Sequence, residues 1–359
     1  MFWKRKTTLL ILVLAFTGSS VQADYVFGEP KNMGPTINSS VYDGGPCISP
    51  DGLEFYFYSF LDGWGVPTLR VATRDTTDDP WGEAVGFEAP LKNCFSPSLS
   101  ADGLELYFDA TRSGGSGGTD IWMATRASLS DPWADPVNLG SAVNSERNEM
   151  GPSISADGLE LYFGVHKPLG GSGSWDILVS TRATVSDPWG KAENLGSTVN
   201  SSAYDGHPHI SSDGLLLFIS SNRSGGYGKW DIWVSRRITR DAEWSTPVNL
   251  GPNLNTAAGE AEPYFSVDGK TLYFSDYTGS HPGGVGGIDL WQASVEPIVD
   301  FDGNGNIDCN DIYDLIDQWG TDNSLYDVGP MPWGDGIVDE KDLLVLAQHM
   351  AEISDANDL

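Results

Sequence analysis

The chain has 359 residues, of which 50 are acidic and 20 are Lys or Arg, giving a formal net charge of −30. So acidic a chain repels nucleic acid and anionic membrane surfaces, which excludes a polyanion-binding role and suits cations. At this length it has core enough to fold without disulfides.

Lys4, Arg5 and Lys6 precede an apolar run over residues 9–16, and Val21-Gln22-Ala23 offers a small-residue cleavage site. The pattern predicts a signal peptide over residues 1–23 and a secreted, extracellular protein, or one held at the cell surface through a partner. The run is too short for a membrane span, and no later segment would cross a bilayer. No Cys follows the cleavage site to carry a lipid.

The segment Ser100-Ala101-Asp102-Gly103-Leu104-Glu105-Leu106-Tyr107-Phe108 occurs, lightly edited, five times. Its Asp-Gly pair begins at Asp51, Asp102, Asp157, Asp213 and Asp268, a period of 51 to 56 residues. Such a period means stacked or radially repeated units. In the third copy, residues 153–155 open a strand and Asp157-Gly158 turns a hairpin. Residues 159–163, 175–180 and 192–195 read as three more strands. Four short antiparallel strands per unit make a propeller blade.

The fifth unit stops near Ser294 without an outer strand. The missing piece stands at the other end of the chain as Phe27-Gly28-Glu29-Pro30-Lys31-Asn32-Met33-Gly34, comparable to Trp244-Ser245-Thr246-Pro247-Val248-Asn249-Leu250-Gly251. The expectation is an all-β, five-bladed β-propeller over residues 24–296, closed by its N-terminal strand.

The repeated Ser-x-Asp-Gly-x-x-Leu-Tyr-Phe, followed by Asn222-Arg223-Ser224-Gly225-Gly226 and Asp231-Ile232-Trp233, resembles the WD40-like PD40 repeat of periplasmic translocation-type propellers. The likeness covers residues 24–296. It departs in the first blade, where Phe60-Leu61-Asp62-Gly63-Trp64 replaces the Arg-Gly-Gly loop and Thr68 replaces the strand Asp.

Just before each blade's recurring proline, at Pro46, Pro97, Pro152, Pro208 and Pro263, stand Asp43, Cys94, Glu149, Asp205 and Glu260. An Asn accompanies each acid, at Asn38, Asn144, Asn200 and Asn255. One reading is a carboxylate ring at a channel mouth that binds a cation or a polyol. A sharper one is a glycoside hydrolase that uses two of these acids on O-glycosyl bonds, as some five-bladed propellers do. The structural alternative is that each acid bonds its own loop. His207, His209, Glu262 and Tyr264 flank the prolines of the last two blades, where other blades carry smaller residues, and suggest an asymmetric ligand pocket.

Other repeated residues read as structural. Asp120, Asp176, Asp231 and Asp289 would tie down the Gly-rich loops, with Arg112, Lys167 and Arg223 as partners. Trp81, Trp133, Trp189 and Trp244 would pack at the outer edge. Cys47 and Cys94 are near enough in the repeat to allow a bond, which spacing alone leaves open.

After the linker Val295-Glu296-Pro297-Ile298, oxygen-bearing residues fall at calcium-loop spacing: Asp300, Asp302, Asn304, the Asn306 carbonyl, Asp308 and Asp311. A short helix over residues 312–319 follows. A second, altered copy offers Asp335, the Ile337 carbonyl, Asp339 and Asp342, with Asp327 as its candidate first ligand, and a helix over residues 343–349. The pair resembles a type I dockerin. That resemblance implies two Ca2+ sites in a small α-helical calcium-loop domain over residues 297–351, ahead of an acidic tail at 352–359. It also implies docking to a cohesin-like domain of another exported protein, through Cys309-Asn310, Glu340-Lys341 and the helices. The whole reads as an exported binding or scaffold propeller, tethered through a calcium-dependent module in extracellular polysaccharide binding or breakdown. The alternative is a glycan-active hydrolase. Possible channel ligands are a polysaccharide or a cation, with no nucleic acid and no membrane span.

Overall fold

The computed structural model describes residues 25–60, 66–87, 90–279, 281–297, 299, 301, 307–321, 328 and 337–357. Five antiparallel sheets stand around an axis as a five-bladed β-propeller. Two short strands, β1 (Tyr25–Phe27) and β2 (Lys31–Asn32), precede the first blade. Blade one holds β3 (Asp43–Ile48), β4 (Glu54–Ser59), β5 (Thr68–Thr73) and β6 (Val85–Gly86). Blade two holds β7 (Phe95–Leu99), β8 (Glu105–Ala110), β9 (Asp120–Thr125) and β10 (Val137–Asn138). Blade three holds β11 (Glu149–Ile154), β12 (Glu160–His166), β13 (Trp175–Thr181) and β14 (Glu193–Asn194), followed by a single turn of helix, α1 (Gly196–Val199). Blade four holds β15 (Asp205–Ile210), β16 (Leu216–Ser221), β17 (Asp231–Arg236) and β18 (Val248–Asn249). Blade five holds β19 (Glu260–Phe265), β20 (Thr271–Asp276) and β21 (Leu290–Pro297).

β21 pairs on its free side with the start of the chain. Lys31 lies opposite Gln292 on β2, and Phe27 lies opposite Val295 on β1. Phe27 is buried in one core cluster with Trp291, Val295 and Phe274. Asn38 spans the same seam: its amide accepts from the Leu290 N–H and donates to the Leu290 carbonyl.

The repeat motif has a physical reason. In each blade the Ser hydroxyl donates to the Asp of the turn, as Ser100 does to Asp102 at 2.6 Å. It also accepts the N–H that opens the next strand, as from Glu105 at 2.9 Å. The turn glycine then takes positive φ, +69° at Gly103, where a side chain would be strained.

Below the turns, blades are clipped together. Arg126, Arg182 and Arg237 pair with Glu54, Glu105 and Glu160 of the preceding blade. Each guanidinium lies over its own blade's Trp133, Trp189 or Trp244, at 4.4–4.6 Å from the ring centre. Those tryptophans are packing residues. At the junction of blades four and five, Leu216 takes the acid's place and joins an apolar cluster.

Asp120, Asp176, Asp231 and Asp289 accept backbone N–H groups from their Gly-rich loops. The expected basic partners go elsewhere. Arg223 pairs with Asp205, and Arg112 donates to the Pro90 and Lys92 carbonyls and to Cys94 Sγ. Cys47 and Cys94 are separate buried thiols, and Cys309 is an exposed one.

Beyond the propeller, α2 (Cys309–Asp317) and α3 (Glu340–Asn357) pack together over a separate core of Val299, Leu315, Val328, Val338, Val345 and Leu346. α3 runs on into the stretch that the sequence suggests is a tail. Among the described residues no helix is long and apolar enough to cross a membrane. The predicted leader lies outside the described residues.

Candidate functional site

Asp43, Glu149, Asp205 and Glu260 each begin an innermost strand, and all are fully buried. None lines the narrowest part of the channel. Each turns back on a hydroxyl residue four positions earlier, as the structural alternative had it. Ser39 donates its N–H and hydroxyl to Asp43, at 2.6 and 2.7 Å. Ser201 does the same for Asp205, Thr256 for Glu260, and the Ser145 hydroxyl for Glu149. Burial pushes the Asp43 and Glu149 carboxyls up, and Glu260 to about 7. The accompanying Asn144, Asn200 and Asn255 hold the third strand of the preceding blade, as Asn38 does. The four acids therefore knot their own loops rather than form a shared ring.

The channel itself is shaped by the prolines. Proline has no N–H for the ladder, and in every blade the strand register shifts across it. The residue before it, Gly45, Ser96, Gly151, His207 or Glu262, turns left-handed, with φ between +45° and +63°. These are bulges that aim one residue per blade at the axis. Ser96, His207 and Glu262 carry side chains in that conformation, at about 1–2 kcal/mol each. The five Pro bulges pinch the channel to a space of about 30 Å³.

Glu262 occupies the pinch and is 5% exposed. Its carboxylate accepts from the Gly45 N–H at 2.8 Å, the Ser275 hydroxyl at 2.7 Å, the Tyr58 hydroxyl at 3.1 Å and the Tyr277 hydroxyl at 3.2 Å. Its own N–H donates to Ser220 Oγ at 2.9 Å. His207 Nδ1 lies 3.7 Å from Glu262 Oε1 and makes no hydrogen bond. Burial depresses His207 more than Glu262 raises it, so the imidazole is neutral. Asp109, on β8, accepts from the Gly151 N–H at 3.1 Å. Burial pushes its carboxyl up to about 7, with the Glu262 charge a lesser contribution in the same direction.

His209 and Tyr264 also reach the pinch. Their polar atoms, however, latch neighbouring blades. Tyr264 donates its hydroxyl to the Ile48 carbonyl at 2.7 Å, and His209 Nε2 meets the Phe265 carbonyl at 3.2 Å. A carbonyl only accepts, so Nε2 carries the proton. Burial depresses His209 to about 4, which keeps the ring neutral.

Beside the pinch lies a cavity of about 180 Å³. Trp175, Tyr204, Trp230 and Tyr277 wall it, with Met150, Ala261, His207 and Ser220 completing the lining. Ring centres step from Trp175 to Tyr204 at 6.0 Å, to Trp230 at 5.9 Å and to Tyr277 at 5.5 Å. The structure thus brings His207 and Glu262 together. It adds Asp109, Tyr58, Tyr204, Tyr277, Trp175 and Trp230, which sequence reasoning missed. Trp175 and Trp230 immediately precede the strand Asp in blades three and four alone. That asymmetry was the available signal.

In the C-terminal module, Asp308 caps α2 by accepting the Asn310 N–H, and its own N–H donates to Asp311 at 2.7 Å. Asp339 and Asp342 repeat the arrangement, with the Asp339 N–H 2.6 Å from the Asp342 carboxylate. Asp311 and Asp342 are both fully buried. Two matching sets of hard oxygen donors at helix starts are chemically suited to calcium. Ile337, expected from sequence to serve through its carbonyl, has an exposed side chain. Asp300, Asp302, Asn304, Asn306, Asp327 and Asp335 lie outside the described residues. Among the described residues no three His, Cys, Asp or Glu side chains cluster as a metal site.

No protein-family model and no curated protein matches the chain. Solved structures do. The endo-arabinase from Bacteroides thetaiotaomicron aligns over 76% of this chain and 97% of its own, at 14% identity and a TM-score of 0.50. The GH62 alpha-L-arabinofuranosidase catalytic domain of Coprinopsis cinerea aligns over 76% and 98%, at 10% identity and a TM-score of 0.50. TolB from Acinetobacter baumannii aligns over 73% of this chain at 15% identity, with a TM-score of 0.45. The chain spans only 56% of that TolB. At such identities the likeness is one of fold.

Proposed function

We propose that this is an exported, non-catalytic binding propeller, tethered through a calcium-dependent C-terminal module to a cohesin-like partner and working in extracellular polysaccharide binding or breakdown. Its ligand site is the aromatic-walled cavity beside the channel pinch. One observation carries the preference for binding over chemistry: the Glu262 carboxylate already accepts from four donors. A carboxylate so saturated has no lone pair left for a nucleophile's or a proton donor's work. Asp109 is buried against Gly151. The tether rests on the paired Asp308/Asp311 and Asp339/Asp342 geometry and on the dockerin-like spacing. Polysaccharide is the setting that this resemblance suggests, and the fold serves an endo-arabinase among its structural neighbours.

A hydrolase remains the competing reading, because burial, with a lesser push from Glu262, raises the Asp109 carboxyl to about 7, the range of a general acid. A glycan array probed with the full chain, in calcium and in EDTA, together with a reducing-end assay, separates the two. Binding that survives EDTA without release of reducing ends supports the propeller as a binder. Reducing-end release that disappears in Asp109→Asn replaces it with the hydrolase.

A further inference from the structure

We propose that the cavity beside the pinch binds a trimethylammonium group, as found on choline- or betaine-like small molecules and on methylated lysine. This rests on the cavity being the ligand site, and it goes further by naming the chemistry of the ligand.

The walls come first. Tyr204 and Trp230 meet at 68°, Trp230 and Tyr277 at 75°, and Trp175 and Tyr204 at 50°. Rings set at steep angles can present electron-rich faces to one enclosed point, the arrangement that holds quaternary ammonium ions.

Hydrogen bonding is the second point. A sugar ring needs partners for several hydroxyls. The polar groups here are few and partly engaged. Ser220 Oγ accepts the Glu262 N–H, and the Tyr277 hydroxyl donates to Glu262. A polyol would need partners for more hydroxyls than the two buried lining atoms without a hydrogen bond, Trp230 Nε1 and His207 Nδ1, can serve. A trimethylammonium group has charge but no N–H, and asks for no such partners.

Charge is the third. Glu262 lies behind Tyr277 and His207, and the basic atom within 4 Å of it belongs to a neutral imidazole. Nearby Asp205, by contrast, is matched by Arg223. The cavity therefore backs onto a negative charge held by hydrogen bonds alone, in a chain of net charge −30. Size agrees. About 180 Å³ holds about six water-sized groups at roughly 30 Å³ each, enough for the ammonium head and its first carbons.

The test is calorimetry and tryptophan fluorescence on the full chain. The probes are tetramethylammonium, choline, glycine betaine and a trimethyl-lysine peptide. The controls are the neutral tert-butyl isostere of choline and a monosaccharide panel. Choline is expected to bind roughly tenfold tighter than its neutral isostere. Glu262→Gln should remove most of that difference. Trp230→Ala should abolish binding, and Trp175→Ala serves as a second variant should the first fail to fold. Selective binding of the peptide over choline would assign a protein-borne source, and the reverse a free one. Equal binding of choline and its isostere overturns the proposal. Saturable binding of sugars with none of the ammonium probes overturns it too, while leaving the propeller a binder. Silence from both panels removes the cavity as a ligand site altogether.

Discussion

The Tyr264 hydroxyl of the fifth blade donates to the Ile48 carbonyl of the first, 2.7 Å away. It belongs to a circuit. Ser98 Oγ accepts from the Ile154 N–H, Ser153 Oγ from the Ile210 N–H, and His209 meets the Phe265 carbonyl. The third residue of each Pro bulge thus reaches across to the next blade. Tyr264→Phe should lower stability by about 1 kcal/mol, the net worth of one such bond. Urea unfolding of this variant beside Ser98→Ala checks it, and similar losses are expected at the two sites.

The chain's start is expected to be as costly to disturb as the core. Phe27 is 3% exposed and packs with Trp291 and Val295 across the β1–β21 pairing. Phe27→Ala should cost about 3–5 kcal/mol. Val137→Ala, on an exposed outer strand, should stay within about 0.5 kcal/mol. Chemical denaturation of both variants makes the comparison. A small loss at Phe27 would mean that the first strand contributes little to the ring.

The pinch predicts a contrast between two glycines. Gly140 and Gly151 both have positive φ, but an added Cβ meets nothing at Gly140 and lies 3.1 Å from the His207 Cα and Nδ1 at Gly151. Gly140→Ala should cost about 1 kcal/mol for conformation alone. Gly151→Ala should cost more and shift the His207 imidazole resonances. Equal losses with unmoved resonances would contradict the packing described.

The pH dependence has a definite sign. The Asp109 carboxyl is raised to about 7 from an ordinary value of 3.8. The folded protein therefore holds a proton that the unfolded chain has lost, and the stability this gives is present below about pH 4 and fades as pH rises through 7. Asp109→Asn should flatten the fall in stability between about pH 5 and 7, by at most about 1.4 kcal/mol per pH unit. Glu260 contributes in the same direction, while depressed His207 and His209 oppose it by favouring the folded state at higher pH. Melting temperatures of both proteins across this range read the difference. An unchanged slope would place Asp109 outside the titration.

Calcium is expected to act on the C-terminal module alone. Adding EDTA to the full chain should lower helical circular dichroism and leave propeller melting in place. Asp311→Ala should abolish the calcium response of the first loop. A response unaltered by that change would point to other ligands.

How much of this the sequence could disclose depends on whether a signal was local. Blade number and strand position were legible because Ser100, Asp102 and Gly103 make one turn that any five residues around them can report. The fate of Asp43 or Glu260 was also legible, in the Ser39 or Thr256 four residues ahead. The cavity was not. Trp175 and Trp230 hold the same place in blades three and four, but Tyr204 and Tyr277 stand elsewhere in the repeat, so spacing alone does not gather the four. Asp109 became notable only once Gly151, 42 residues on, turned its N–H toward it.

In every blade the proline breaks the innermost ladder at the same depth. The molecule is thereby split crosswise into two storeys. The lower one, with its Ser-Asp-Gly turns and Arg–Glu clips, is nearly the same from blade to blade. The upper one repeats its loop knots in four blades and varies at the residue before the proline, Gly45, Ser96, Gly151, His207 or Glu262. Side chains at the rim can be exchanged without retuning the parts beneath, so a propeller of this kind offers a ready frame on which new recognition surfaces can be grafted.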